Sequence, residues 1–152
     1  MSKKKYFNSL VILNHELEIL SVYNKLHLVP FGEFLPFEKT LSKIGLKKIT
    51  PGYSSFSAGH IRDEINLGEK FNNKKILPLI CYEIIYSGKI KRKDQLPDLI
   101  INISEDAWFG ESIGPHQHFT KAIYRSIEEG VFIARSANKG ISALYKSNLS
   151  IN

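Results

Sequence analysis

The sequence predicts an α/β fold in which strands and helices alternate along the chain. Two short apolar runs, each bounded by polar residues, are typical of buried strands, and one later segment has the apolar spacing of a helix. The helix is predicted to start near Pro115 and to end near Glu129. The strands are predicted at Lys75 to Ile80, Leu99 to Ile103, Val131 to Arg135 and Ile141 to Tyr145.

The N-terminal part of the chain predicts a β-hairpin followed by irregular structure. Phe7 to Leu13 and Leu17 to Tyr23 are β-rich runs joined by a polar turn. Pro30 to Pro36 contains two prolines and a glycine, so it predicts a shaped loop instead of a helix. Phe37 to Gly68 has no clear period, and long irregular segments of this kind often carry function.

The helix prediction depends on one apolar face and on its two ends. Pro115 suits the first helical turn, and Gly130 suits the end. The residues that share the buried face are Phe119, Ala122, Ile123, Ser126 and Ile127. Asn138 to Gly140 then predicts the turn before the last strand.

Composition limits the possible functions. The chain has 152 residues, 43% of them hydrophobic, which indicates one globular domain or a piece of one. Its net charge of +6 comes from lysines scattered along the sequence, so we expect solvated surface and no nucleic-acid partner. A single cysteine excludes an internal disulfide. No apolar run approaches the ~20 residues of a membrane helix, and we expect no signal peptide and a soluble chain.

Cys81 is the first candidate catalytic residue. It ends a buried strand and precedes Tyr82 and Glu83, polar residues that a core strand would avoid. Free cysteines are also often small buried hydrophobes. A free thiol with a pKa of ~8.5 is mostly protonated at neutral pH, so a nucleophilic cysteine needs a base or a nearby cation. Both interpretations stay open on these residues alone.

Lys25 and Glu33 are the other two candidates. Lys25 follows the predicted hairpin, and a lysine near a reacting carbonyl would stabilise an oxyanion, although most lysines simply lie on the surface. Glu33 follows a glycine in the Pro30 to Pro36 loop, where it could hydrogen-bond Lys25 or accept a proton.

Other chemistries receive no support. His60, His116 and His118 lack a carboxylate at ligand spacing, so we expect no metal site and no cofactor. His116 is expected to cap or orient the start of the helix. The chain has no Gly-x-Ser-x-Gly motif and no glycine loop for phosphate.

Three segments together resemble the apolipoprotein N-acyltransferases of the nitrilase superfamily. The segment from Tyr23 to Pro36, with its Val-Pro-Phe-Gly-Glu phrase, resembles their lysine segment. Ile80 to Ile85 resembles their nucleophile segment. The tract from Asn102 to His118, with Asp-Ala-Trp-Phe-Gly, is similar to the family's segment beyond the nucleophile. In addition to these three segments, the stretch Ala134 to Ser142 also matches in kind. The resemblance covers roughly Phe7 to Tyr145.

The resemblance implies part of an α-β-β-α sandwich and a covalent acyl transfer. Cys81 would attack a phospholipid ester and hold the acyl chain as a thioester, and the N-terminal cysteine of a lipoprotein would accept it. Lys25 would stabilise the oxyanion, with Glu33 as a second glutamate of the site. The residues that would shape the pocket and its lipid entrance are Tyr82, Glu83 and Trp108.

The same resemblance predicts a domain that is partial at both ends across residues 1–152. The family's glutamate base and its membrane helices would lie outside this sequence, and Glu105 stands where asparagine is usual. We therefore expect inactivity in isolation, and family membership implies the outer face of the cytoplasmic membrane. Two alternatives remain: an amidase or nitrilase acting on C–N bonds, and a non-catalytic remnant or subunit completed by a separately encoded N-terminal half.

Overall fold

A computed structural model describes residues 4–37, 43, 45, 55–90, 92–95 and 97–146. The chain divides into two compact units, Met1–Ile61 and Arg62–Asn152, and each is described by itself. Within the described ranges, no helix is both long enough and apolar enough to cross a membrane.

The first unit contains an antiparallel hairpin of β1 (Ser9–Leu13) and β2 (Ile19–Asn24). Leu10 and Tyr23 are register partners and both are buried, so one face of the hairpin supplies core. The predicted hairpin is confirmed, but its second strand starts at Ile19 because Leu17 has a φ of 63° and belongs to the turn. The predicted Pro30 to Pro36 loop is also confirmed, with a bridge between Pro30 and Phe34.

The second unit is built on a five-stranded sheet in the order β3-β4-β5-β6-β7. The three central strands are parallel, and the two outer strands pair antiparallel. Apolar residues on the central strands form the core together with Ile84 and Ala122. The strands are β3 (Ile65–Asn66), β4 (Lys75–Ile80), β5 (Leu99–Glu105), β6 (Phe132–Asn138) and β7 (Ala143–Tyr145).

One α-helix is described in this unit, α1 (Gly114–Glu129), with a proline in its first turn. Gly130 follows with a φ of 64°, a left-handed conformation that glycine adopts without a Cβ penalty. The helix and its ending are confirmed. Its start is organised differently from the prediction, because Ser112 Oγ accepts from the N–H of Gly114 at 3.1 Å while the side chain of His116 is exposed.

The α/β prediction is confirmed, and the architecture is consistent with part of a nitrilase-type sandwich. Several strand boundaries were wrong: β5 runs on to Glu105, β6 extends from Phe132 to Asn138, and β7 starts only at Ala143. Residues 38–42, 44 and 46–54 of the irregular Phe37 to Gly68 segment lie outside the described residues, and its last part contains the short strand β3.

Candidate active site

Lys25 and Glu33 form a buried ion pair in the first unit. Lys25 is 1% exposed, and its Nζ lies 2.8 Å from Glu33 Oε2. The carboxylate also accepts from Asn8 Nδ2 at 2.6 Å and from the N–H of Val29 at 2.8 Å. These contacts confirm the predicted Lys25–Glu33 hydrogen bond. A buried ammonium held by a fixed carboxylate is a preorganised cation of the kind that stabilises an oxyanion.

The backbone around this pair is fixed by specific short contacts. The N–H of Glu33 donates to the Val29 carbonyl at 2.8 Å, and this bond closes the turn from Val29 to Glu33. The N–H of Gly59 donates to the Lys25 carbonyl at 2.8 Å. A Cβ on Gly59 would lie 2.2 Å from the carbonyl oxygen of Asn24, so only glycine allows the chain to pass here.

Cys81 lies in the second unit, at the point where β4 gives way to the 3-10 helix Cys81–Ile85. Its φ is 52°, a left-handed conformation that costs an L-residue with a Cβ about 1–2 kcal/mol. The side chain is a free thiol of intermediate exposure. Strained turns that persist next to a reactive group are a common property of functional sites.

Glu83 stabilises this turn through hydrogen bonds to its carboxylate. It is completely buried, and its carboxylate accepts from Arg62 at 2.7 Å and from the N–H of Ile80 at 2.8 Å. Arg62 also donates to the carbonyl of Ile90 at 3.1 Å. The substrate-binding role predicted for Glu83 stays a prediction, and these contacts show that it also holds the turn.

Several aromatic side chains of the second unit are exposed or pack against His118. Tyr82 is 39% exposed and Trp108 is 53% exposed, so both present large apolar surface to solvent. The Tyr82 ring lies 5.9 Å from the ring of His118, and Phe109 packs edge-on against His118 at 5.6 Å. The pocket roles predicted for Tyr82 and Trp108 are not tested by these contacts and remain predictions.

A buried polar cluster lies behind the turn, and no catalytic or binding role was predicted for it. Asp106 is its centre: Oδ2 accepts from Arg135 at 2.7 Å, and Oδ1 accepts from Ser104 Oγ at 2.6 Å. His118 Nδ1 lies 2.9 Å from the same Oδ1. Arg135 also donates to Asn102 Oδ1. Asp106 and Asn102 are completely buried, and a Cβ on Gly140 would lie 2.4 Å from Asp106 Oδ2.

Burial, hydrogen bonds and the charge of Arg135 together shift the pKa values of Asp106 and His118 in this cluster. Burial raises the pKa of Asp106, but the hydrogen bonds from Ser104 and His118 and the charge of Arg135 outweigh burial, so that pKa lies below its ordinary value. Burial and the charge of Arg135 lower the pKa of His118, against opposing contributions from Asp106 and the backbone of Cys81. His118 is therefore neutral at pH 7, with its proton on Nδ1, which faces the carboxylate.

The lowered pKa of His118 predicts a measurable loss of stability in acid. The unfolded chain takes up the histidine proton at pH ~6.5, before the folded chain does, so stability falls as the pH drops below that value. The slope from one histidine is at most about 1.4 kcal/mol per pH unit. We expect His118→Asn to flatten the pH dependence of the free energy of unfolding between pH 7.5 and 5.5, measured by urea titration.

His15→Asn is the matched control, because His15 is exposed in the hairpin turn. As an exposed substitution, it should change the free energy of unfolding at pH 7 by less than about 0.5 kcal/mol. Parallel curves for the wild-type chain and His118→Asn would contradict the assignment of a neutral buried His118. The range above pH 5 avoids Asp106, whose lowered pKa makes its own contribution disappear at lower pH.

Sequence reasoning missed Asn102, Arg135 and Arg62 as parts of the site. A signal was present for the first two, since each is a polar residue inside an apolar strand. Glu105, which stands where the family usually has asparagine, is exposed and accepts from Asn138 Nδ2 at 2.9 Å. The predicted catalytic residues belong to two units: Lys25 and Glu33 contact each other in the first, and Cys81 lies in the second.

Comparison with known proteins identifies the family. A family model described as carbon-nitrogen hydrolase matches residues 2–151. The chain is similar to the apolipoprotein N-acyltransferase of Bradyrhizobium diazoefficiens, with 43% identity over 91% of this chain and 25% of that protein. It is also similar to that of Rhodopseudomonas palustris, with 44% identity over 91% of this chain and 25% of that protein. A third relative is the apolipoprotein N-acyltransferase of Rhizobium rhizogenes, with 40% identity over 91% of this chain and 26% of that protein.

The chain spans about a quarter of the length of these curated relatives. The match to the family model extends over nearly all of the sequence, including both the Lys25–Glu33 pair and the Cys81 turn. This chain therefore belongs to the carbon-nitrogen hydrolase family, and its similarity to apolipoprotein N-acyltransferases confirms the resemblance seen in the sequence.

Proposed function

We propose that this chain supplies the nucleophile and the oxyanion-stabilising cation of an apolipoprotein N-acyltransferase. Two preorganised groups, one in each unit, support the proposal. One is Cys81, presented on a strained turn at the end of β4, and the other is the buried Lys25–Glu33 pair. The similarity to curated relatives with that name supports the same reaction.

In the proposed reaction the sulfur of Cys81 attacks the carbonyl carbon of a phospholipid ester. The C–S bond forms, the ester C–O bond breaks, and the lysophospholipid leaves with a proton. The free α-amino group of a lipoprotein's diacylglyceryl-modified N-terminal cysteine then attacks the thioester, forms an amide and releases the thiol. Lys25 would stabilise the oxyanion in both steps, with Glu33 holding its ammonium in place.

A hydrolase acting on small C–N substrates is the second candidate, because the family includes that chemistry. The apolar surface in the unit that contains Cys81 favours a lipid instead. Tyr82, Trp108 and Ile113 are 39%, 53% and 64% exposed, and side chains of this size suit an acyl chain more than a small polar amide. A non-catalytic subunit remains the third candidate.

Partners and location follow from the proposed reaction. The donor is a phospholipid and the acceptor is a lipoprotein, so the working site would be at the outer face of the cytoplasmic membrane. The sequence assigns no residue of this chain to the family's glutamate base. We therefore propose that the base comes from a further part of the catalytic domain, in the same or a separate chain, and that the isolated 152 residues are inactive.

A chimera tests the proposal. The matching segment of a curated relative, about a quarter of that protein, is replaced by this chain, and the product is incubated with phospholipid in mild detergent. We expect an acyl-sized, hydroxylamine-sensitive gain in intact mass, which Cys81→Ser abolishes. The isolated chain should show no gain. A folded chimera that stays unmodified beside an acylated parent enzyme would contradict the proposal.

A further inference from the structure

The left-handed turn at Cys81 requires something to hold it. An L-residue with a Cβ leaves this conformation unless its surroundings over-determine it. Glu83 fixes the turn on its N–H side, through the hydrogen bond from Ile80. The carbonyl side of the turn needs a donor, because β4 ends at Ile80 and a buried backbone carbonyl without a partner is costly.

Asn102 supplies that donor from the neighbouring strand. Its Nδ2 donates to the carbonyl of Leu79 at 3.3 Å and to the carbonyl of Cys81 at 3.4 Å. The parallel register of β4 and β5 places Leu79 directly opposite Asn102, so the side chain reaches both carbonyls on either side of Ile80. Asn102 is completely buried, which excludes water as a competing partner for its amide.

The amide of Asn102 has only one workable orientation. Its Oδ1 accepts from Arg135, its register partner on β6. A flipped amide would place its NH₂ group against the guanidinium and its oxygen against two carbonyls, so both contacts would become repulsive. Arg135 in turn is held by Asp106 at 2.7 Å, and Asp106 is held by Ser104 and His118.

We propose that Asn102 is a positioning residue that locks the strained Cys81 turn, and that Arg135 and Asp106 fix the orientation of its amide. This role rests on the proposed function in one respect, since positioning the Cys81 turn matters for catalysis only if Cys81 is the nucleophile. The lock itself is a property of the backbone and can be tested without any acyl transfer.

Asn102→Asp is the sharpest variant. Aspartate has nearly the same shape and keeps an oxygen for Arg135, but it replaces the donor that faces two carbonyls by an acceptor. Asn66→Asp is the matched control, because the side-chain oxygen of Asn66 accepts from the N–H of Gly68 at 2.7 Å and aspartate preserves that bond. Asp106→Asn is the second variant, which weakens the clamp on Arg135 and leaves Asn102 in place.

The readout is the Cα chemical shift of Cys81 in the full chain. The sequence contains one cysteine, so carbon-13 cysteine labelling gives a single Cα resonance that reports the backbone conformation. We expect Asn102→Asp to move this resonance away from its wild-type position toward that of an extended residue, and Asn66→Asp to leave it unchanged. A folded Asn102→Asp chain with the wild-type shift would overturn the proposal.

Two further results decide the remaining cases. If Asn102→Asp does not fold, Asp106→Asn must move the resonance in the same direction by a smaller amount, and an unchanged shift there overturns the proposal. In the chimera, Asn102→Asp should slow acyl-enzyme formation at saturating donor about tenfold or more, with the half-saturating donor concentration unchanged. A moved resonance with an unchanged rate reduces Asn102 to a structural residue. A chimera that is never acylated contradicts the proposed function alone.

Discussion

Replacing Glu33 by glutamine is expected to lower the free energy of unfolding by about 3–5 kcal/mol. The substitution leaves the ammonium of Lys25 buried, 1% exposed, without the carboxylate that lies 2.8 Å away. A buried charge that loses its partner bears its desolvation cost uncompensated. The measurement is urea unfolding at pH 7, followed by a signal from the first unit.

Two controls separate this effect from an ordinary loss of one hydrogen bond. Glu18→Gln removes an exposed carboxylate that accepts from Asn14 at 2.8 Å, and it should change stability by less than about 0.5 kcal/mol. The double variant Lys25→Met, Glu33→Leu should recover most of the loss, since well-packed apolar residues can replace a buried ion pair. If Glu33→Gln alone were as stable as the wild-type chain, the assignment of Lys25 and Glu33 as a buried ion pair would be contradicted.

Replacing Arg62 by methionine is expected to cost a similar amount, about 3–5 kcal/mol, because it removes the cation that pairs with the buried carboxylate of Glu83. Glu83 is completely buried and accepts from Arg62 at 2.7 Å. The loss should appear in urea unfolding of the second unit. Arg62→Met should also disturb the Cys81 turn, because the carboxylate of Glu83 accepts from the N–H of Ile80.

Arg92→Met is the matched control for this variant. Arg92 is a half-exposed arginine in the same unit that pairs with Asp94 at 3.1 Å, and exposed pairs of this kind contribute about 0–1 kcal/mol. If Arg62→Met proved no more destabilising than Arg92→Met, the buried support of the turn would be contradicted. A double-mutant cycle of Arg62→Met with Glu83→Leu isolates the coupling between the two side chains.

The elements that local sequence decides were predictable. β4 and α1 have clear patterns and clear ends, so their predicted positions agree with the structure to within a residue. Leu17 shows the limit, because its apolar side chain suggested a strand while its backbone adopts a left-handed turn conformation. Cys81 was found for a related reason: a thiol followed by polar residues does not suit the interior of a strand.

Several contacts that support the Cys81 turn were not predictable, because they join residues that are distant in sequence. Arg62 and Glu83 are 21 positions apart, and Asn102 and Arg135 are 33 apart. Asn102 reaches Cys81 only because the register of three parallel strands places Leu79, Asn102 and Arg135 in one row. Register depends on tertiary packing, and the buried polar residues could be recognised as a cluster only once that packing was known.

The most direct test of the proposed acyl transfer is a chase of the acyl group from the enzyme. The chimera is first acylated from phospholipid, freed of excess donor, and then mixed with a synthetic diacylated lipopeptide that has a free N-terminal amine. We predict that the acyl mass leaves Cys81 and appears on that amine, and that no transfer occurs with Cys81→Ser. Release of the acyl group as free fatty acid, with the amine unmodified, would contradict acyl transfer and indicate a hydrolase.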